Sequence, residues 1–212
     1  MTGLSADSHS SDHWYDHIPA IGNTGVETAK IGMWIFLGSE IMFFTGLIGS
    51  YIVLRLGADH WPKPEETLDI PLLGVNTFLL IVSSLTMVMA LHSVQHDKKK
   101  QSVLYLSVTA FLGLCFVSIK VMDYFFMWNE VNEHHPEGFK ITTSLFGSVY
   151  YTLTGFHGIH VLVGVVAIAC LAIGAARGKF GSHRYAYIEN IGLYWHFVDL
   201  IWIILFAILC LI

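Results

Sequence analysis

The chain has 212 residues, 54% of them hydrophobic and only 13% charged, with a mean hydropathy of +0.60. A soluble domain of this length clothes its core in a charged surface, so this balance points to a bilayer as solvent. The formal net charge of −5, with no basic stripe interleaved with aromatics, offers no footing for a nucleic-acid partner.

Residues 1–26 form a polar tail rich in His, Ser and Asp. It has no basic segment followed by a short apolar core, so no cleavable signal peptide is expected and the first span should insert as its own signal. His9, His13 and His17 recur at every fourth position. They could capture a surface metal if helical, but a solvated tail is the expected state.

Residues 27–212 contain five apolar stretches, at about 27–55, 71–95, 102–128, 143–176 and 188–211. Each is long enough for a hydrocarbon core of about 30 Å, which takes about 20 helical residues. An open sheet cannot span lipid, because its edges leave backbone N–H and C=O groups unsatisfied. The fold class predicted is an all-α membrane protein, a bundle of five transmembrane helices.

The loops alternate in charge. Segments 96–101 and 177–187 are basic, carrying Lys98, Lys99, Lys100, Arg177, Lys179 and Arg184, whereas 56–70 and 129–142 carry acids. The positive-inside rule places the basic loops in the cytoplasm, hence a cytoplasmic N-terminus and Ile212 outside. Arg55, Lys63 and Lys140 run singly against this bias. Trp34, Trp128 and Trp195 fall near predicted interfaces, as an aromatic belt requires.

Small residues recur within the spans. Gly46 with Ser50, and Gly155, Gly158 and Gly164, would allow neighbouring helices to approach closely, unless they reflect only the glycine enrichment of membrane helices. Cys115, Cys170 and Cys210 lie in separate apolar runs and behave as small hydrophobes.

Polar residues inside the spans are the candidates for chemistry. Glu40 lies about eleven residues into the first span, about 16 Å deep at 1.5 Å per residue. An ionised carboxylate there is costly, so Glu40 is either protonated or faces a partner or polar cavity. His157 and His160 stand at i and i+3 in TGFHGIHVLVG, a spacing compatible with metal ligation and equally with hydrogen bonds to neighbouring helices. His196 and Asp199 in YWHFVDLIW share a helix face, where they could support each other. Lys120 and Asp123 most simply form a neutralising ion pair, with an ion path as the other reading. His92 with His96, and His134 with His135, fall where solvation is the default.

No phosphate-binding loop, dinucleotide fingerprint, CxxC, CxxCH or HExxH is present, and no nucleophile, base and acid converge as in a hydrolase.

The segments LGSEIMFF, VNTFLLIVSSLTMVMALHS, GSVYYTLTGFHGIHVLVG and YWHFVDLIWI, in this order, resemble subunit III of the cytochrome c oxidases. The resemblance covers all five spans. It implies the five-helix bacterial form, which lacks the first two helices of longer members, in a bacterial cytoplasmic membrane. Two departures stand out: the missing helix pair, which would come from a fusion to another subunit or be absent, and Lys120 and Asp123, where the family commonly has Gln and Glu.

The resemblance implies an accessory subunit without catalytic or metal residues. Haem and copper would belong to partner subunits I and II, and the complex could join a larger respiratory assembly. Bound phospholipid, stabilisation of the catalytic subunit and help with proton uptake are further implications. Glu40 matches the family's buried carbodiimide-reactive glutamate, and His157, His160, His196 and Asp199 match its structural or lipid-contacting positions.

The SE pair favours a cytochrome c oxidase, with a subunit of a quinol oxidase or one associated with nitric oxide reductase as close alternatives. Two readings of other classes remain: a b-type membrane cytochrome, suggested by histidines on several helices, and an independent proton conductor built on Glu40, His196 and Asp199.

Overall fold

The computed structural model describes residues 28–58, 61–62, 68–129, 141–142, 144–178 and 185–211. The tail histidines, together with His134 and His135, lie outside the described residues.

Five long helices account for nearly all of these residues: α1 (Thr28–Gly57), α2 (Ile70–Gln95), α3 (Lys99–Asn129), α4 (Leu145–Ala176) and α5 (Ala186–Phe206). The last continues through a π-helical turn, Ala207–Leu211. All five are long and apolar enough to cross a membrane. Even α5, at 21 residues, is about 32 Å long before its π-helical turn.

Local chemistry sets the ends. The Asp69 side chain accepts from the Leu72 N–H at 3.1 Å, with Pro71 in the first turn, and Ser144 Oγ accepts from the Gly147 N–H at 2.9 Å. Each cap satisfies a donor that a helix start leaves free. Asp97 (φ 55°) turns the chain between α2 and α3, and Gly178 (φ 72°) follows the end of α4, where the absence of a Cβ removes the cost of a left-handed conformation. The third helix begins three residues before the expected 102, since Lys99 and Lys100 are helical; lysine stems can run along a helix end with their ammonium groups in water.

Helices α2, α3, α4 and α5 form a closed ring in which each packs on the next and α5 returns to α2. The first helix lies outside it, against α5 and α4, and buries only Phe44 and Tyr51. Apolar side chains such as Phe78, Phe111, Val163 and Leu200 cover the outer surface, as a lipid-facing bundle requires.

The ring closes around Trp195, which is 1% exposed. This corrects the expectation of an interfacial role: Trp34 and Trp128 are exposed, but Trp195 is the central packing residue. Its ring fits because two neighbours have no side chain. A Cβ on Gly113 would lie 2.6 Å from Trp195 Cη2, and one on Gly164 2.8 Å from Cε3. The other glycines singled out do not mediate close approach, because a Cβ at Gly46, Gly155 or Gly158 would meet nothing within 4 Å. Ser50 likewise bonds back to its own helix, at the Gly46 carbonyl.

Candidate functional site

Three polar constellations interrupt the apolar bundle. The first ties α1 to α4. His160 Nδ1 donates to the Phe156 carbonyl at 2.7 Å, and its Nε2 lies 3.0 Å from Glu40 Oε2. A carbonyl only accepts, so Nδ1 carries a proton. The contact with Glu40 then needs one more, held either by the carboxyl or by Nε2. In both arrangements the pair is electrically neutral, which is what an apolar medium demands. Both side chains are partly exposed, at 17% for His160 and 18% for Glu40. Phe43 and Phe44 pack on the His160 ring, and Phe156 on Phe43. Towards the ends of α1, Lys30 pairs with Glu189, and Tyr51 Oη donates to the Ile208 carbonyl at 3.2 Å.

The second constellation runs along α5. His157 turns away from His160: its Nε2 donates to the Val198 carbonyl at 3.1 Å, and its ring lies 4.8 Å from that of Trp202. The two histidines therefore serve different helices and do not converge on one ion. Trp195 Nε1 donates to Ser83 Oγ at 3.1 Å and Trp202 Nε1 to Thr77 Oγ1 at 2.9 Å, so α5 grips α2 at two levels. His196 Nδ1 bonds Ser84 Oγ. No hydrogen bond joins His196 to Asp199 among the described residues; the partner of His196 is the hydroxyl of Ser84 on α2.

The third constellation is buried between α3 and α4. Lys120 Nζ donates to Asp123 Oδ2 at 2.9 Å and to Tyr150 Oη at 2.6 Å, and Tyr150 Oη lies 3.4 Å from the same carboxylate oxygen. The ammonium also sits over the rings of Tyr124, Tyr150 and Trp202, at 5.3, 4.9 and 5.5 Å. Tyr124 Oη donates to Thr154 Oγ1 at 2.6 Å. The bare Gly155 and Gly158 leave a groove of about 210 Å³ beside this cage, opening between α3 and α4.

Among the described residues, no three His, Cys, Asp or Glu side chains are grouped as a metal site. His96 Nδ1 donates to the His92 carbonyl at 2.9 Å in the exposed α2–α3 turn. Sequence reasoning missed Ser84, Tyr150, Tyr124 and Trp202. Only Trp202 carried a usable signal, since it lies two turns from Trp195 on the same face.

Five helices long and apolar enough to cross a membrane make this a multi-pass membrane protein. Residues 16–211 match the family described as Cytochrome c oxidase subunit III, and the chain belongs to that family. It is 34% identical over 181 residues to the "Cytochrome c oxidase subunit 3" of Bacillus sp. (strain PS3), covering 85% of this chain and 84% of the relative. It is 33% identical over 177 residues to the "Quinol oxidase subunit 3" of Bacillus subtilis (strain 168), covering 84% and 83%. Against the "Cytochrome c oxidase subunit 3" of Coturnix japonica it is 32% identical over 186 residues, covering 84% of this chain and 67% of the longer relative. Family membership makes the chain a component of a multi-subunit haem-copper oxidase.

Proposed function

We propose that the chain is the non-catalytic accessory subunit III of a proton-pumping cytochrome c oxidase in a bacterial cytoplasmic membrane. Its partners are the catalytic subunit I and subunit II, which hold the haem and copper and reduce oxygen to water. The observation that carries this reading is the family match across all five helices.

The polar residues support a structural role. His157, His160, Trp195, Trp202 and Lys120 each make a hydrogen bond to a neighbouring helix. The Glu40–His160 tie holds the peripheral α1 in place, and the groove beside Lys120, about 210 Å³ and lined mainly by apolar residues, is the place we assign to part of a phospholipid acyl chain. Lys99, Lys100 and Gly178 border one cavity, so the start of α3 and the end of α4 lie at the same end of the bundle. Facing the cytoplasm, that end would assist proton uptake by the catalytic subunit.

A quinol oxidase is the second reading, favoured by the similarity to the Bacillus subtilis relative of that name. Electron-donor assays on the purified complex separate the two. Oxygen consumption with reduced cytochrome c supports the first reading, and consumption with a quinol alone supports the second.

A further inference from the structure

The exposed end of α2 carries two histidines in contact. His92 lies in the last turn of the helix and His96 caps it, both are exposed, and their ring centroids are 4.2 Å apart. The backbone beneath them is held in place: Ser93 and Val94 are buried, and their carbonyls accept from the Lys98 and Asp97 N–H groups at 2.9 and 3.0 Å. A fixed turn thus presents two imidazoles to solvent.

The His92 carbonyl receives both the His96 backbone N–H, at 3.3 Å, and His96 Nδ1, at 2.9 Å. A carbonyl only accepts, so Nδ1 of the neutral ring carries the hydrogen and Nε2 holds the lone pair. Metal-binding histidines are oriented in the same way, by donating their second nitrogen to a backbone carbonyl or carboxylate. The ring nitrogens of His92 make no hydrogen bond among the described residues.

We infer that His92 and His96 form a two-histidine surface site for an exchangeable divalent transition cation that favours imidazole, such as Zn²⁺ or Cu²⁺, with water completing its coordination. Two imidazoles bound tetrahedrally at about 2.0–2.1 Å hold their ring centroids about 5 Å apart, so the exposed rings need part by only about 1 Å. No third His, Cys, Asp or Glu joins the pair among the described residues, which makes the ion exchangeable rather than resident. Lys98, Lys99 and Lys100 follow directly and repel cations held by charge alone. Mg²⁺ and Ca²⁺, which require oxygen ligands, are therefore excluded. The site stands whether or not the chain serves an oxidase.

Histidine footprinting of the full chain in detergent-solubilised native membranes tests it. Diethyl pyrocarbonate acylates imidazole nitrogens that hold a lone pair, and mass spectrometry locates the adducts. Zn²⁺ should protect His92 and His96 together, with one midpoint, while Mg²⁺ at the same concentration should protect neither. His92→Ala should raise the Zn²⁺ midpoint for His96 at least about tenfold, because a second ligand on the same turn acts at high effective concentration. His92→Asp, which restores a zinc ligand, should recover part of that shift.

An unchanged midpoint for His96 in His92→Ala would overturn the shared site, as would separate midpoints for the two histidines or no protection at all. Equal protection by Mg²⁺ would show screening rather than coordination and overturn it too. A shift in His92→Ala that His92→Asp leaves unrelieved would place the effect in the helix end rather than in a lost ligand, with the same consequence.

Discussion

His160 Nε2 lies 3.0 Å from Glu40 Oε2, so one neutral, proton-sharing contact at membrane depth joins the outermost helix to the rest of the bundle. Because α1 buries so little of itself, this contact carries more of its attachment than a polar pair inside the ring would.

Replacing Glu40 separates geometry from charge. Glu40→Gln keeps a donor for His160 and should leave the initial oxygen consumption of the assembled complex nearly intact, while changing lipid retention or the lifetime of the enzyme during turnover. Glu40→Leu removes the bond and should cost about 1–3 kcal/mol. Hydrogen exchange measured along α1 should then rise more than along α3. An immediate loss of haem reduction in Glu40→Gln would contradict this account.

The Lys120 cage responds differently to single and double changes. Lys120→Met leaves the Asp123 carboxylate buried without its cation and should destabilise the chain by about 3–5 kcal/mol. Lys120→Met combined with Asp123→Leu removes both charges, and thermal unfolding in detergent should show most of that loss restored. Equal losses in the two variants would show that the aromatic cage needs the ammonium itself.

Two glycines give opposite outcomes for the same substitution. Gly113→Ala drives a Cβ to 2.6 Å from both Trp195 and Val165 and should cost about 1–3 kcal/mol through overpacking. Gly158→Ala meets open space and should change the unfolding midpoint little. A larger loss at Gly158 than at Gly113 would place the tight contact on the wrong side of the bundle.

These outcomes follow the division between what could and could not be read from the amino-acid order. The five spans were legible because about twenty apolar residues suffice to identify a membrane helix, and their ends lie within about four residues of the expected ones. The i, i+3 spacing showed that His196 and Asp199 share a face of α5. It could not show that Ser84, 112 positions before His196, bonds that histidine. Depth along a helix is equally silent about neighbours: Trp195 looked interfacial, yet Gly113 and Gly164 on two other helices make room for it at the centre. The same limit hid Tyr150, 30 residues beyond Lys120, and made Gly155 and Gly158 resemble packing residues when they border a groove.

The most direct test is co-purification of the chain from its native membrane, followed by subunit identification and optical spectra before and after the subunits are separated. The account predicts that the intact complex consumes oxygen and shows haem absorption, and that all the haem remains with the other subunits when this chain is removed. Haem retained by the isolated chain through two histidines would contradict it.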